Sequence, residues 1–89
     1  MKEIKWSLIK SARLKRLRGV SFEEILTGRL IRIKDHSQRQ NQQLMLIEYK
    51  NYIWVVPFVG GEEAIFLKTL YPCRKYTKIY RKEANDEKD

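Results

Sequence analysis

The densest chemistry in the chain lies near its C-terminus. Pro72-Cys73-Arg74-Lys75-Tyr76-Thr77-Lys78-Ile79-Tyr80-Arg81-Lys82 holds five cations and two tyrosines. Arg74 and Lys75 fall where an apolar strand gives way to a helix, so a phosphate there would meet a guanidinium, an ammonium and main-chain N–H donors together. Tyrosines set between cations can stack on unpaired bases. The same residues also read as a terminal helix that turns Tyr76, Ile79 and Tyr80 to a core and its lysines to water. Lys68 is a second candidate. It interrupts Ile65-Phe66-Leu67 and Leu70, and strand alternation sets it on one face with Phe66 and Leu70, at the rim of a cleft or with its stem along the aromatic ring.

Histidine is the usual proton carrier near neutral pH, and the chain has one, His36, in a polar loop with Arg39 where plain solvation is the competing role. Glu48 is a carboxylate inside an apolar strand, suited either to act as a base or to pair with a lysine across a hairpin. Trp6 and Trp54 read as core. Cys73 lies beside Arg74, but no histidine near it in sequence marks an activated thiol, so it reads as a small filler.

Composition removes whole classes of function. One cysteine and one histidine leave no Cys/His zinc set and no internal disulfide. Four glycines without a Gly-Lys-Ser/Thr exclude a Walker loop. No metal or cofactor is expected. The longest apolar run, Tyr52 to Val59, contains Pro57 and falls short of the roughly 20 residues that span a bilayer. Charges at Lys2, Glu3, Lys5 and Lys10 break up any signal-peptide core, and a cytoplasmic location is expected.

Charge gives the first positive indication. The chain carries +8 in 89 residues. Glu83, Asp86, Glu87 and Asp89 against Lys88 make the tail −3, which leaves +11 on residues 1–82. Such a field attracts polyanions, of which nucleic acid is the commonest inside cells, or an acidic protein. The cations Lys10, Arg13, Arg16, Arg32, Arg39, Lys78 and Arg81 are the candidate RNA contacts.

These residues must be positioned by a small number of elements. The length allows one domain over residues 1–82, with 83–89 as a frayed acidic tail. Ser7 to Arg18 reads as a basic helix with Leu8, Ala12, Leu14 and Leu17 toward one face, closed by Gly19. Ser21 and Glu24 form a capping box, with Val20 and Ile25 as the staple, opening a short helix from Phe22 to Thr27 that ends at Gly28. The period then changes from helix to strand. Leu30 to Lys34, Gln43 to Tyr49, Tyr52 to Phe58 and Ala64 to Tyr71 read as strands, with Lys50-Asn51 as a two-residue hairpin turn. Apolar residues on both faces of Ile53 to Val56 suit a central strand, and Pro57 limits its pairing. A last helix runs from Lys75 to about Lys82. The expected fold is α+β: two N-terminal helices, a four-stranded antiparallel meander and a C-terminal helix.

Two stretches resemble BrnT-like toxins of bacterial type II toxin–antitoxin modules, which belong to the RelE-like, barnase-like group of small ribonucleases. Gly19-Val20-Ser21-Phe22-Glu23-Glu24-Ile25, after a basic helix, is similar to the family's "KHGVSFEEA" segment. Phe66 to Lys75, followed by Tyr80, is similar to the strand that leads into "SARK" and a tyrosine-bearing helix. Arg18 and Leu17 stand where the family has histidine and lysine, and Pro72-Cys73 replaces Ser-Ala.

The resemblance implies an RNA-cleaving toxin that arrests translation and is neutralised by a cognate antitoxin. It points to Arg74 and Lys75 as the active-site pair, to Tyr80 as a supporting residue and to Lys68 as the preceding cation. RNA supplies its own nucleophile, the 2′-OH. Glu48, Tyr80, Lys68 and His36 are the candidates for base and acid. Two other functions compete: a non-catalytic RNA- or DNA-binding module, and an inactive toxin relative that serves as a protein-interaction domain.

Overall fold

The computed structural model describes residues 3–80. Arg81, Lys82 and the acidic tail lie outside them. The fold is mixed α+β. In chain order the elements are β1 (Glu3–Lys5), α1 (Leu8–Arg18), α2 (Phe22–Ile25), β2 (Arg29–Asp35), β3 (Gln42–Tyr49), β4 (Tyr52–Gly60), β5 (Ala64–Leu67), β6 (Tyr71–Pro72) and α3 (residues 74–80). The sheet has the order β1-β5-β4-β3-β2, with β6 also paired to β4. It is therefore a six-stranded mixed sheet and not the expected four-stranded meander. β1 adds in parallel to β5, Ile4 opposite Ile65. Three residues are too few for periodicity to reveal, and their partner lies at the far end of the chain.

Local signals place most of the helix and turn boundaries. Ser7 caps α1 by accepting the Lys10 N–H at 3.1 Å. Gly19, at φ 80°, closes it in the left-handed region and returns its N–H to the Lys15 carbonyl. Both bonds of the Ser21–Glu24 capping box are present, each at 3.1 Å. Lys50 and Asn51 both have positive φ, 50° and 64°, as a type I′ hairpin turn requires. Gly28 is needed for a close approach: a Cβ there would stand 2.5 Å from the Glu48 carbonyl oxygen.

Pleat alternation divides the core into two faces. Met45, Ile47, Trp54, Val56 and Phe58 face α1 and α2, against Leu14, Val20, Phe22 and Ile25. Leu46, Ile53 and Val55 face α3, against Cys73, Tyr76 and Tyr80. β4 is central and buried on both faces from Ile53 to Phe58, as its composition suggests.

α1 differs from its expected face. Only Ser11 and Leu14 are buried within it, whereas Leu8, Ala12 and Leu17 are exposed, the two leucines at 72%. The inward residues are Ser11 and Leu14, at i and i+3, with the exposed Arg18 one turn further on, and the polar ones among these do specific work. Ser11 accepts the buried Phe22 N–H at 2.9 Å and donates to the Glu23 carboxylate. Lys15 grips Glu24 from the same helix at 2.8 Å. The Ser11 hydroxyl holds the Glu23 carboxyl below its ordinary 4.5, and Lys15 does the same for Glu24.

A carboxyl lowered in the folded state contributes stability that is present above its unfolded value and lost as pH falls through the folded one. Thermal melts stepped downward from pH 4.5 should therefore show Tm falling. Ser11→Ala leaves the Phe22 N–H unsatisfied, should cost about 1–3 kcal/mol at neutral pH, and should flatten the acid-side dependence. An unchanged melting profile would contradict this bridge between the helices.

Candidate functional site

The site begins at Pro57. In a strand, the N–H and C=O of one residue point to the same neighbour. The Pro57 carbonyl faces the β5–β6 side, where it accepts the Lys68 N–H at 2.8 Å, and proline has no N–H to return. The ladder breaks there. Phe58 pairs with Leu67 before the break and Val55 with Tyr71 after it, so Lys68, Thr69 and Leu70 span only Val56 and Pro57. This is a bulge, the setting in which a sheet tolerates proline away from an edge.

The bulge corrects two expectations. Ala64 to Tyr71 is not one strand but β5 and β6 with three residues between them. Nor do Phe66, Lys68 and Leu70 share a face, because Leu70 is fully buried while Phe66 and Lys68 are exposed. Arg18 of α1 donates to the Leu70 carbonyl and fixes the bulge to the helix.

Beside the bulge lies a cleft of about 300 Å³ lined by Lys10, His36, Arg39, Gln42, Pro57, Lys68, Thr69 and Tyr71. Three chain segments meet there: α1, the β2–β3 connection and the bulge. The lining includes three cations and no carboxylate, which suits an anion. His36 Nδ1 accepts the Gln38 N–H at 3.1 Å and the Arg39 N–H at 3.2 Å, so the neutral ring carries its proton on Nε2. The ring thus both orders its own turn and offers a donor. Tyr71 was not a sequence candidate, since an aromatic at a strand end reads as packing. Partial burial pushes its phenol above 10.0, with Cys73 and Tyr76 adding to the effect and Arg18 opposing it. The hydroxyl is therefore held as a donor.

The remaining candidates lie elsewhere. Arg74 and Lys75 are exposed on the first turn of α3 and do not line the cleft. That turn is anchored by Thr77, a buried residue the sequence reading passed over. Its hydroxyl donates to the Cys73 carbonyl at 2.7 Å and accepts the Ile53 N–H at 2.8 Å. Tyr80 packs on the sheet with its ring centroid 6.3 Å from that of Tyr76, and Lys34 sits 5.0 Å above the Tyr76 ring. Glu48 is engaged by Arg29 of the neighbouring strand at 3.2 Å, not by a lysine across the hairpin.

The candidate RNA contacts are likewise spread out. Lys10 and Arg39 line the cleft, while Arg13 and Arg16 are exposed along α1. Arg32 and Lys78 are exposed on β2 and α3, and Arg81 is outside the described residues. Among the described residues no three His, Cys, Asp or Glu side chains gather as a metal site would need, and no helix is long and apolar enough to cross a membrane.

The Tyr71 environment is directly measurable. Ultraviolet titration of wild type minus Tyr71→Phe should give a phenol component above pH 10.0. Arg18→Gln should move it further upward, and a component at or below that value would contradict the cleft geometry.

No protein-family model matches the chain, and no curated protein does. Among solved structures, the Brucella abortus ribonuclease toxin BrnT, determined at 1.1 Å, is similar with a TM-score of 0.55 and 18% identity, over 82% of this chain and 97% of that one. At that identity the likeness is one of fold: α1, α2, the sheet and α3 together form a BrnT-like α+β domain.

Proposed function

We propose that the chain is a toxin-type endoribonuclease which cleaves RNA through 2′-OH attack, thereby inhibits translation, and is neutralised by an antitoxin protein. The observation that carries this reading is the cleft, where Lys10, Arg39 and Lys68 converge with His36 and no carboxylate intervenes. The BrnT-like fold supports it at the level of architecture.

In this reaction the 2′-oxygen bonds to phosphorus, the bond to the 5′-oxygen breaks, and the products are a 2′,3′-cyclic phosphate and a 5′-hydroxyl. No metal is required, because charge on the phosphorane can be met by fixed cations in place before the reaction. Lys68, Arg39 and Lys10 supply them in the cleft. Arg74 lies three residues beyond Tyr71, about 10 Å of chain at most, so it and Lys75 can reach a phosphate held at the cleft mouth. Arg29 occupies Glu48 and the sheet face holds Tyr80, which leaves His36, Lys68 and Tyr71 as the groups with access for proton transfer. His36 Nε2 and the Tyr71 hydroxyl are placed to protonate the leaving 5′-oxygen, while the 2′-OH proton passes to water at the open cleft mouth.

The second reading is RNA binding without cleavage. It is favoured by one observation, the lack of a carboxylate base among the cleft residues.

Induced expression in a bacterial host separates the two. Wild type should arrest growth and yield new RNA fragments, while Arg74→Ala/Lys75→Ala should do neither though folded. Arrest with intact RNA, or no arrest from soluble wild type, would overturn the nuclease reading. Salt dependence locates the binding surface. Each of Lys10→Ala, Arg39→Ala and Lys68→Ala should reduce the slope of log K against log salt for single-stranded RNA by about 0.7. Equal losses from Lys78→Ala alone would move the site to the α3 face.

A further inference from the structure

β2 is the terminal strand of the sheet, and its outer edge pairs with nothing among the described residues. It is seven residues long, against three for β1 at the opposite edge, so β2 is the edge long enough to template another strand. Its two faces differ sharply. Leu30 and Ile33 lie opposite Ile47 and Met45, on the α1–α2 side, yet remain 51% and 49% exposed. Arg32 and Lys34 lie opposite Leu46 and Leu44, on the α3 side. Ile31 is the extra residue of a second bulge between them and packs inward toward α3. Arg32 is exposed and forms no ion pair with any described residue.

We propose that the outer edge of β2 docks an extended segment of a partner protein in which apolar and acidic residues alternate. Such a strand satisfies the free main-chain groups of the edge. Its apolar side covers Leu30 and Ile33, while its carboxylates meet Arg32 and Lys34. Charge rejects the obvious competitor, a second copy of the chain. The antiparallel self-registers that set Ile33 against Leu30 or against Ile33 also set two cations directly opposite, Arg29 with Lys34 or Arg32 with Lys34, while the one that sets Ile33 against Ile31 would oppose side chains of different faces. The residues that protect the edge from self-pairing are thus the ones that select an acidic strand. This surface is separate from the cleft lining, so the inference stands whether or not the chain cleaves RNA.

The test is an NMR titration of the labelled full chain at physiological ionic strength with a blocked peptide of alternating glutamate and valine, matched in length to β2. Controls are a lysine–valine peptide, a glutamate-only peptide and a single-stranded RNA. The glutamate–valine peptide should shift Arg29–Asp35 amides and slow their exchange. Ile33→Ser and Arg32→Glu/Lys34→Glu should each weaken it by about fivefold, and the charge-reversed variant should accept the lysine–valine peptide instead. Four results would overturn the proposal. These are no perturbation of β2, equal binding of the glutamate-only peptide, preferential perturbation of β2 by RNA, and concentration-dependent self-association abolished by Ile33→Ser.

Discussion

Pro57 cannot donate to the strand beside it, and much of the candidate site follows from that missing N–H. Its carbonyl still takes the Lys68 N–H, so the chain stays close to β4 but cannot continue the ladder. The surplus residue between Leu67 and Tyr71 has to be accommodated as a bulge. Leu70 turns into the core, Lys68 and Tyr71 line the cleft, and β6 rejoins β4 in a new register. β6 in turn sets the start of α3, which Thr77 locks to Ile53. One absent donor in the central strand therefore controls both the cleft and the approach of Arg74 and Lys75.

α1 serves this arrangement through polar contacts more than apolar ones. Ser11 joins it to α2, Arg18 joins it to the bulge, and Lys10 reaches the cleft. Leu8, Ile9 and Leu17 remain in water. A helix that spends its inward stripe on hydrogen bonds is held at a defined rotation, because those bonds are directional where apolar packing is not.

What could be read from the sequence was what neighbouring residues decide. Gly19, the Ser21–Glu24 box and the Lys50-Asn51 turn are local devices and stand where their chemistry puts them. The unbroken apolar run from Ile53 to Val56, apolar on both faces, likewise marked a buried central strand. β1 was hidden because its partner is distant in sequence. Pro57 was visible, but its effect on register depends on which neighbour its carbonyl faces, and that is set by the whole sheet. The α1 face was misjudged because Ser11 is polar, and polar residues ordinarily mark the solvent side. Of the site candidates, Lys10, His36, Arg39 and Lys68 come together, while Glu48 and Tyr80 are engaged elsewhere. No spacing along the chain separates those groups, because the cleft is assembled from three segments that meet only in the folded domain. Tyr71 was hidden for the same reason.

The most direct measurement is to map where single-stranded RNA touches the folded chain, by following amide shifts during titration at low and at moderate salt. A cleft built by the Pro57 bulge predicts that Lys68 to Tyr71, His36 to Gln42 and Lys10 shift together, with Arg74 and Lys75 following, and that the response weakens as salt rises. Shifts confined to α3 and the sheet beneath it, with the bulge silent, would show that the cations of the cleft serve something other than RNA.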